Sequence, residues 1–373
     1  MLTNKNSIGI GIIGSGFARS TQIPGFRACE GARVVVIASA RRERAEEVAR
    51  EFEIPFVGKD WREVVERADV DLVSIVTPPA THLEMTLYAL ARGKAVLCEK
   101  PLAMNATETN EMRWAASAAG MLALVDHELR FLDGRRRMRE MLQAGEIGRV
   151  RHAALTFRAD SRASGERAWD WWSDATMGGG ALGAIGSHVV DSFRWLLGAE
   201  VSRVFCQLST HTPARPVSET GEMRPVTTDD EANLILNFAD GELTTNASAN
   251  VSMSFVEAGA PTHRLEIFGE RGALRVEGDG ELWQAAIGAG EWQRVETERG
   301  HLAPGMRDNG WSRGFTRFAG EIVRALQEGR NTVADAATFE DGHRTQLILD
   351  AARRSHRSGS WEMPDDESFN QSG

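Results

Sequence analysis

The stretch IGIGIIGSGFARS, residues 8–20, decides the fold class. Residues 8–13 have the apolar pattern of a buried strand, and Gly14 and Gly16 lie between that strand and a helical pattern. A helix that opens at such a loop presents free backbone N–H groups that can hold a pyrophosphate. An ordinary strand–helix turn would also contain glycines, but the position after the first strand of a βαβ unit favours dinucleotide binding. The third small position of the G-x-G-x-x-G/A fingerprint is Arg19, which departs from the pattern.

The residues that follow repeat the same alternation. Strand patterns at 34–38, 71–76, 95–98 and 120–125 alternate with helical patterns at 42–52 and about 83–91. This order predicts an α/β domain over residues 1–128, a Rossmann fold with a doubly wound parallel sheet.

The pattern changes after a linking helix over 131–146. Strict alternation of apolar and polar residues predicts an antiparallel sheet, in runs at 150–157, 231–238, 242–248, 263–268 and 273–276. Helices are predicted at about 315–328 and 338–357. We therefore expect a second, α+β domain over 129–363 for substrate binding and oligomerisation, a last helix that packs back toward the first domain, and a frayed tail over 364–373.

Composition excludes several classes of protein. The net charge of −10 does not favour nucleic-acid binding, and no uninterrupted apolar run reaches the length of a membrane span. Cys29, Cys98 and Cys206 are scattered, which fits the cytoplasm and gives no metal-ligand spacing. The one tyrosine, Tyr88, is followed at i+4 by Arg92, so a YxxxK hydride-transfer pair is absent.

The second strand indicates which cofactor is used. NAD-binding units usually carry Asp or Glu at its end to bond the ribose 2′-OH, whereas this one ends in Ser39 and Ala40 before Arg41 and Arg42. A hydroxyl and guanidinium groups suit a 2′-phosphate. A solvated, charged helix start is the alternative. We favour NADP(H), with NAD(H) possible.

Four motifs in order carry a family resemblance: IVTPPATH (75–82), CEKPLA (98–103), GGGALGAIGSH (178–188) and FEDGHRTQLILDAARRS (339–355). From about residue 8 to residue 361 the chain resembles the glucose–fructose oxidoreductase / inositol dehydrogenase (Gfo/Idh/MocA) family. The resemblance implies a Rossmann domain, then a domain with a large open, mainly antiparallel sheet that often serves for oligomerisation. It also implies hydride transfer on sugars, polyols or related compounds.

The resemblance assigns roles position by position. Lys100 is similar to the catalytic lysine beside the nicotinamide, and His188 to the active-site histidine. Two positions depart from the family: Ala184 replaces a carboxylate that many members carry four residues before the histidine, and His127 replaces a common asparagine. The expected cofactor contacts are Gly14, Ser15, Gly16, Phe17, Ala18, Arg19, Ser39, Arg41, Arg42, Thr77, Pro78, His82, Glu99 and Lys100.

The chemistry supports the two catalytic assignments independently. Hydride removal from a carbinol requires loss of the hydroxyl proton, and the reverse reaction requires a proton donor. A lysine at a strand end is usually a solvated charge, and a single histidine on an apolar helix is more often a packing residue. His188 lies on a helical pattern over about 184–197 whose spacing resembles a core face. The motifs, and glycines that let a backbone approach a ligand closely, favour function for both.

Further residues are candidate substrate contacts. Trp171 and Trp172 suit the C–H faces of sugars, although tryptophan is mostly core material. The full set is His127, Arg130, Trp171, Trp172, Asp174 and His188. The sequence thus predicts a homodimeric or homotetrameric NADP(H)-dependent oxidoreductase acting on a small sugar-like or polyol-like substrate. The alternatives are a cofactor-binding sensor without turnover, which Ala184 favours, and a glycosidase that oxidises its sugar transiently.

Overall fold

The computed structural model describes residues 6–365, so of the tail expected at 364–373 all but the first two residues lie outside the described part. The chain forms two compact units. The first comprises Met1–Leu132 with Gly300–His343, and the second comprises Asp133–Arg299 with Arg344–Gly373. Residues 300–343, which the sequence assigned to the second domain, therefore group with the first unit.

The first unit contains a six-stranded parallel sheet in the order β3-β2-β1-β4-β5-β6. Its strands are β1 (Ile8–Ile13), β2 (Ala32–Ala38), β3 (Phe56–Val57), β4 (Leu72–Ile75), β5 (Ala95–Cys98) and β6 (Ala123–Val125). Its helices are α1 (Ile23–Arg27), α2 (Arg42–Glu51), α3 (Trp61–Glu66), α4 (His82–Leu90) and α5 (Ala106–Ala119). A π-helical segment, Ala18–Gln22, precedes α1, and 3-10 turns cover Pro79–Thr81 and Glu128–Phe131.

Helices cover both faces of this sheet, which is why its strands are apolar throughout rather than alternating. One apolar cluster joins β1 to α1 and to a late helix, and the other joins β4 and β5 to α3, α4 and α5. The order of β1, β4 and β5 brings the carboxyl ends of these strands to one edge of the sheet, where α/β folds bind their ligands.

The late helix is α8 (Gly310–Gln327). Phe315 meets Phe26 edge to face, with ring centroids 5.4 Å apart, and Phe318 stacks on Phe131 at 4.5 Å. Gly25 permits this approach, since a Cβ there would lie 2.6 Å from the Phe315 ring. These contacts explain why α8 belongs to the first unit.

The second unit is built on an eight-stranded sheet in the order β16-β15-β14-β13-β7-β12-β11-β8, with a separate two-stranded sheet. Its strands are β7 (Val150–Arg158), β8 (Val201–Ser209), β9 (Ala214–Pro216), β10 (Met223–Pro225), β11 (Glu231–Phe238), β12 (Thr244–Ser254), β13 (Thr262–Gly269), β14 (Gly272–Val276), β15 (Leu282–Ala286) and β16 (Gln293–Val295). Its helices are α6 (Asp133–Gln143), α7 (Ser187–Leu197) and most of α9 (Phe339–Ser358), with short turns at Trp171–Ser173 and Ala175–Met177 and a π-helical segment at Leu182–Gly186.

The predicted fold class is confirmed: a parallel Rossmann sheet followed by a mainly antiparallel sheet in which β7 and β12 are the parallel pair. Alternating burial along β11 and β12 shows the half-buried pattern that the sequence predicted. The start of the last helix packs in the first unit, where Phe339 is 2% exposed and joins the core cluster of β5.

The outward face of the eight-stranded sheet, the open sheet that the family resemblance links to oligomerisation, is mostly polar at its concavity. Its central strands line a shallow concavity of about 350 Å³. Most of the outward side chains in it are polar, with a smaller apolar group: Thr156, Gln207, Asn233, Asn250 and Ser252 beside Ala154, Phe205 and Ile235. An alternating strand pattern fixes which residues face outward but leaves open how apolar that face is.

Candidate functional site

The glycine loop lies at the carboxyl end of β1. Gly14 has a φ of +107°, and a Cβ there would lie 2.3 Å from the carbonyl oxygen of Val76, so only glycine fits. At Gly16 a Cβ would meet no described atom within 4 Å. A helical stretch begins at Gly16, so its first N–H groups lie where the sequence predicts a pyrophosphate cradle.

A π-helical segment shifts the residues that follow the loop. Ala18 is wholly buried in the core, where a small residue lets the helix pack closely against the sheet. Arg19, expected among the cofactor contacts, turns its guanidinium to Glu51, with Nε 2.6 Å from Oε2. The buried position that needs a small residue is therefore occupied by Ala18 and not by residue 19. An arginine fits at residue 19 because its side chain pairs with Glu51.

The end of β2 lies beside the glycine loop. The hydroxyl oxygens of Ser15 and Ser39 are 3.1 Å apart. Arg41 is exposed and precedes α2 with an extended backbone, while Arg42 donates to Glu46 at 2.9 Å. The position where NAD-binding units carry a ribose-binding carboxylate is thus occupied here by a hydroxyl followed by guanidinium groups.

The loop after β4 is braced from inside the fold. His82 is wholly buried; its Nε2 lies 2.8 Å from the carbonyl oxygen of Thr77, and its Nδ1 lies 3.1 Å from that of Pro101 and 3.2 Å from that of Leu102. Burial lowers the pKa of His82, and the hydrogen bonds to the three carbonyl oxygens oppose that fall. His82, predicted to contact the cofactor, instead holds together the two loops that carry Thr77 and Lys100.

Lys100 lies at the carboxyl end of β5, on the same sheet edge as Gly14 and Thr77. It is half-buried, and its backbone N–H donates to Oε2 of Glu99 at 3.3 Å. Glu99 is buried, with its own N–H bonded to the carbonyl oxygen of Ile75 at 2.9 Å. The strand end therefore fixes the backbone of Lys100 at the same edge of the sheet as the glycine loop.

Two buried polar residues escaped the sequence analysis. Gln22, in the π-helical segment, donates to Glu99 at 3.0 Å and to Asp126 at 2.7 Å. Asp126 follows β6 on the same sheet edge, and burial raises its pKa well above the usual range. Asp126 could have been found from the sequence, because an aspartate directly after a buried strand lies at the edge of the sheet. It precedes His127, the residue already noted as a departure from the family.

Two predicted substrate contacts belong to the interior of the first unit. Arg130 is 4% exposed; its guanidinium lies 3.3 Å from the carboxylate of Asp341 and donates to the carbonyl oxygen of Asp335 at 3.3 Å. This ion pair fixes the turn at Glu128–Phe131, so the structure gives Arg130 a structural role in place of substrate binding. His127 is 2% exposed.

In the second unit the glycine run packs against the protein itself. A Cβ at Gly179 would lie 2.0 Å from the carbonyl oxygen of Trp172, and a Cβ at Gly180, whose φ is +107°, would lie 2.4 Å from Oδ1 of Asp229. Asp229 also accepts the N–H of Leu182 at 2.7 Å, which caps the helical stretch that leads to His188. These glycines serve close internal packing rather than the approach of a ligand that we had expected.

His188 lies in the first turn of α7 and is 2% exposed. Its carbonyl oxygen accepts the hydroxyl of Ser192 at 2.5 Å, and Arg135 from α6 donates to that hydroxyl at 2.5 Å. The second Arg135 nitrogen lies 3.1 Å from Nε2 of His263, whose pKa burial lowers to about 3. Neutral His263 therefore accepts from Arg135, and α7 is held firmly on α6 and β13.

The aromatic and acidic candidates before the glycines also have internal partners. Trp172 is buried under the Arg162 guanidinium, 3.8 Å from its ring centroid, and packs on Phe255. Asp174 accepts from Thr176 at 2.9 Å and 2.7 Å, which lowers the pKa of Asp174. The structure therefore assigns Trp172 and Asp174 to holding this loop, whereas Trp171 is 42% exposed.

The described residues contain no cluster of histidine, cysteine and carboxylate groups suited to a metal ion. Over residues 6–365 no helix combines the length and the apolar character needed to cross a membrane.

Comparison with known proteins supports this architecture. Residues 8–127 match the oxidoreductase family with a NAD-binding Rossmann fold (GFO/IDH/MocA), and residues 135–275 match a GFO/IDH/MocA C-terminal domain. Glucose-fructose oxidoreductase domain-containing protein 2 of Xenopus laevis is 30% identical over 95% of this chain and 93% of its own. Levoglucosan dehydrogenase of Pseudarthrobacter phenanthrenivorans is 29% identical, covering 87% and 88% of the two chains. A solved structure of levoglucosan dehydrogenase in complex with NADH and L-sorbose has a TM-score of 0.85 and 27% identity, over 97% of this chain and all of that one.

Proposed function

Since this chain belongs to the GFO/IDH/MocA family of oxidoreductases with a NAD-binding Rossmann fold, we propose that it transfers hydride between NADP(H) and a carbinol or carbonyl carbon of a sugar or polyol. The observation that carries the proposal is the carboxyl edge of the first sheet, where a half-buried lysine lies on the same edge as the glycine loop. The relatives that act on levoglucosan support the substrate class.

The residues present fit the cofactor. A Cβ at Gly14 would fill the cradle and meet Val76, and the helix after Gly16 offers N–H groups to a pyrophosphate. When bound, the nicotinamide cofactor supplies or accepts the hydride. Lys100 gives the proton to the forming alkoxide in the reduction, and its positive charge stabilises the oxygen as charge develops. His188 binds and orients the substrate oxygen.

A screen of polyols and ketoses with NADP(H) tests the proposal through the absorbance of the reduced nicotinamide. We expect turnover with at least one sugar or polyol, and no turnover in Lys100→Met with the same compound. Tight cofactor binding without turnover on any of them would favour a sensor instead. Ala184 is the observation that favours this second candidate, because a methyl group replaces the carboxylate of many members.

The cofactor preference rests on Ser39 and Arg41 at the end of β2. A guanidinium pairs with phosphate through charge-assisted hydrogen bonds, so NADPH should bind more tightly than NADH. Arg41→Ala should narrow the difference by roughly 1–3 kcal/mol, the scale of one such contact. Arg44→Ala, an exposed arginine on the same helix, is the matched control and should leave the difference in place. Equal affinities for both nucleotides in the unmodified protein, titrated by fluorescence quenching, would contradict the preference.

We also propose that the outward face of the eight-stranded sheet joins copies of this chain as a dimer or tetramer. Ile235 is 43% exposed in the concavity of that face, and amide and hydroxyl side chains around it can pair across a symmetric interface. Light scattering should give a multiple of the 40.9 kDa chain, and Ile235→Asp should lower it. A mass of one chain at every concentration would contradict the assembly.

Buried Cys98 and Cys206 outside any disulfide support a cytoplasmic location.

A further inference from the structure

Four buried polar side chains of the first unit meet around Glu99, the residue before Lys100. Ser74 lies on β4, Gln22 in the π-helical segment, Glu99 after β5 and Asp126 after β6. None is more than 8% exposed. Such a network is costly unless every member is satisfied, so its hydrogen bonds have to be accounted for atom by atom.

The side-chain amide of Gln22 lies between Ser74 and the two carboxyl groups. The Ser74 hydroxyl donates to the side-chain oxygen Oε1 of Gln22, and the NH2 group faces the two carboxyl groups. That nitrogen lies 3.0 Å from Oε1 of Glu99 and 2.7 Å from Oδ2 of Asp126. Each of its two hydrogens therefore goes to a different carboxyl group.

The remaining carboxyl oxygens are not equivalent. Oε2 of Glu99 accepts the backbone N–H of Lys100, whereas no N–H or hydroxyl of the described residues donates to Oδ1 of Asp126. The Gln22 nitrogen lies within 3.0 Å of one oxygen of each carboxyl group, so the two groups lie next to each other in the buried site. Two ionised carboxylates this close in a buried site repel each other, which favours one shared proton, and Oδ1 of Asp126 is the oxygen to which no described group donates.

The charges around the two carboxyl groups also favour a proton on Asp126. Burial raises the pKa of both Glu99 and Asp126, and the negative charge of Glu128 raises that of Asp126 further, whereas Lys100 opposes the rise at Glu99. The other titratable groups near the pair are Cys98 on β5, whose pKa both carboxyl groups help to raise, and His127, which follows Asp126 in the chain.

We propose that Glu99 and Asp126 hold one proton between them, carried by Asp126, and that this singly charged pair, fixed by Gln22, is the positioning unit for Lys100. Two ionised carboxylates would hold the ammonium too strongly for it to give up a proton, and two neutral acids would leave it without a counter-charge. The proposal deepens the function proposed above and rests on it, since Lys100 is the proton donor there.

Infrared spectroscopy tests where the proton lies, without any substrate. A protonated carboxylic acid has its own carbonyl-stretch band, separate from that of a carboxylate. At neutral pH the spectrum of the full-length protein should lose one such band in Asp126→Asn, because the Asn amide donates to Glu99 in place of the acid. In Glu99→Gln the band should remain and move to higher frequency, since its acceptor is then a neutral amide. Asp229→Asn, an acid of the second unit, is the control for position and should leave this band in place.

Chemical labelling tests the effect on Lys100, also without turnover. The chain has four lysines, Lys5, Lys59, Lys94 and Lys100, so labelling by acetic anhydride can be followed at each one by peptide mapping. Only a neutral amine reacts. Glu99→Gln should raise the labelling rate of Lys100 several-fold with Lys59 unchanged, whereas Asp126→Asn, which keeps Glu99 charged, should change it much less.

Three results would overturn the proposal. One is an infrared spectrum in which Asp126→Asn removes no protonated-acid band. Another is a band that disappears in Glu99→Gln and persists in Asp126→Asn, which would place the proton on Glu99. The third is a labelling rate at Lys100 that responds to neither variant. A failed substrate screen combined with the expected spectra and labelling would count against the proposed function while leaving the shared proton in place.

Discussion

Two helices of this chain have nearly identical starts but different roles. The helix after β1 and the helix that leads into α7 each follow a glycine with a φ of +107°, and each contains a five-residue π-helical segment near its start. In the second unit Asp229 occupies the start of the helix and accepts the N–H of Leu182. In the first unit Ser15, just before the helix, turns its hydroxyl to Ser39. A helix start capped by the protein's own carboxylate cannot also bind an anion, so only the first of the two is suited to a pyrophosphate.

The π-helical segments extend the comparison. Such bulges occur often at functional sites because they redirect one or two side chains of a helix. In the first helix the bulge sends Gln22 inward to two buried carboxyl groups. In the second it precedes His188, whose turn is held by Ser192 and Arg135. The first region thus has two buried carboxyl groups held by Gln22, and the second has a hydrogen-bonded helix turn that holds one histidine in place.

The largest expected effect separates the two regions by chemistry. Lys100→Met should abolish turnover, a loss of at least about 10²–10⁴ in kcat, with NADPH binding nearly intact. His188→Asn keeps a hydrogen-bonding group and should mainly raise KM with a smaller loss in kcat. The reason is that Ala184 offers only a methyl group where many members have a carboxylate to stabilise an imidazolium, whereas Lys100 brings its own positive charge.

Steady-state kinetics and NADPH titration of both variants check this ordering. If His188→Asn lost more kcat than Lys100→Met, the histidine would carry the proton. If Lys100→Met lost NADPH binding instead, the lysine would be a cofactor clamp and the contrast between the regions would fail.

The next prediction compares the effects of substituting Gly14 and Gly180, the two glycines with a φ of +107°. Gly14→Ala and Gly180→Ala both force a Cβ into a backbone with positive φ and should each cost about 1–3 kcal/mol of stability. The added Cβ at 14 meets the backbone of Val76, and that at 180 meets the carboxylate of Asp229. Gly14→Ala should therefore also weaken NADPH binding, and Gly180→Ala should leave it unchanged.

Thermal unfolding and nucleotide titration measure the two consequences separately. Gly16→Ala is the matched control for stability, since its Cβ meets no described atom within 4 Å, and it should unfold at the temperature of the unmodified protein. Loss of NADPH affinity in Gly180→Ala would mean that the second helix takes part in cofactor binding after all.

The same contrast shows what the sequence can reveal. Gly14, Thr77 and Lys100 were predictable because parallel strands bring the ends of β1, β4 and β5 to one edge, so the position in each motif fixes the place in the fold. The network of Gln22 and Asp126 was not, because a π-helical segment breaks the 3.6-residue period by which a helix face is predicted. Asp229 lies 47 residues from the N–H that it caps, and no local pattern indicates such a pair. The place of α8 likewise depends on the contacts of Phe315 and Phe318 with rings distant in the sequence, which periodicity does not reveal.

The smallest expected effect tests whether the second helix is capped by a charge or only by an oxygen. Burial raises the pKa of Asp229 in the folded protein, so its contribution to stability is fully present below the unfolded value of 3.8 and is lost as the pH rises through the folded value. Asp229→Asn keeps an oxygen for the N–H of Leu182 and removes the titration. Relative to the unmodified protein, Asp229→Asn should therefore become more stable as the pH rises from about 4, by about 1.4 kcal/mol for each unit by which the pKa is raised. Asp229→Ala removes the cap itself and should cost about 1 kcal/mol at every pH on top of that trend. Urea unfolding of the three proteins across this pH range decides: a constant difference between the Asp and Asn forms would show that the pKa of Asp229 is not raised and that Asp229 stays ionised in the folded protein.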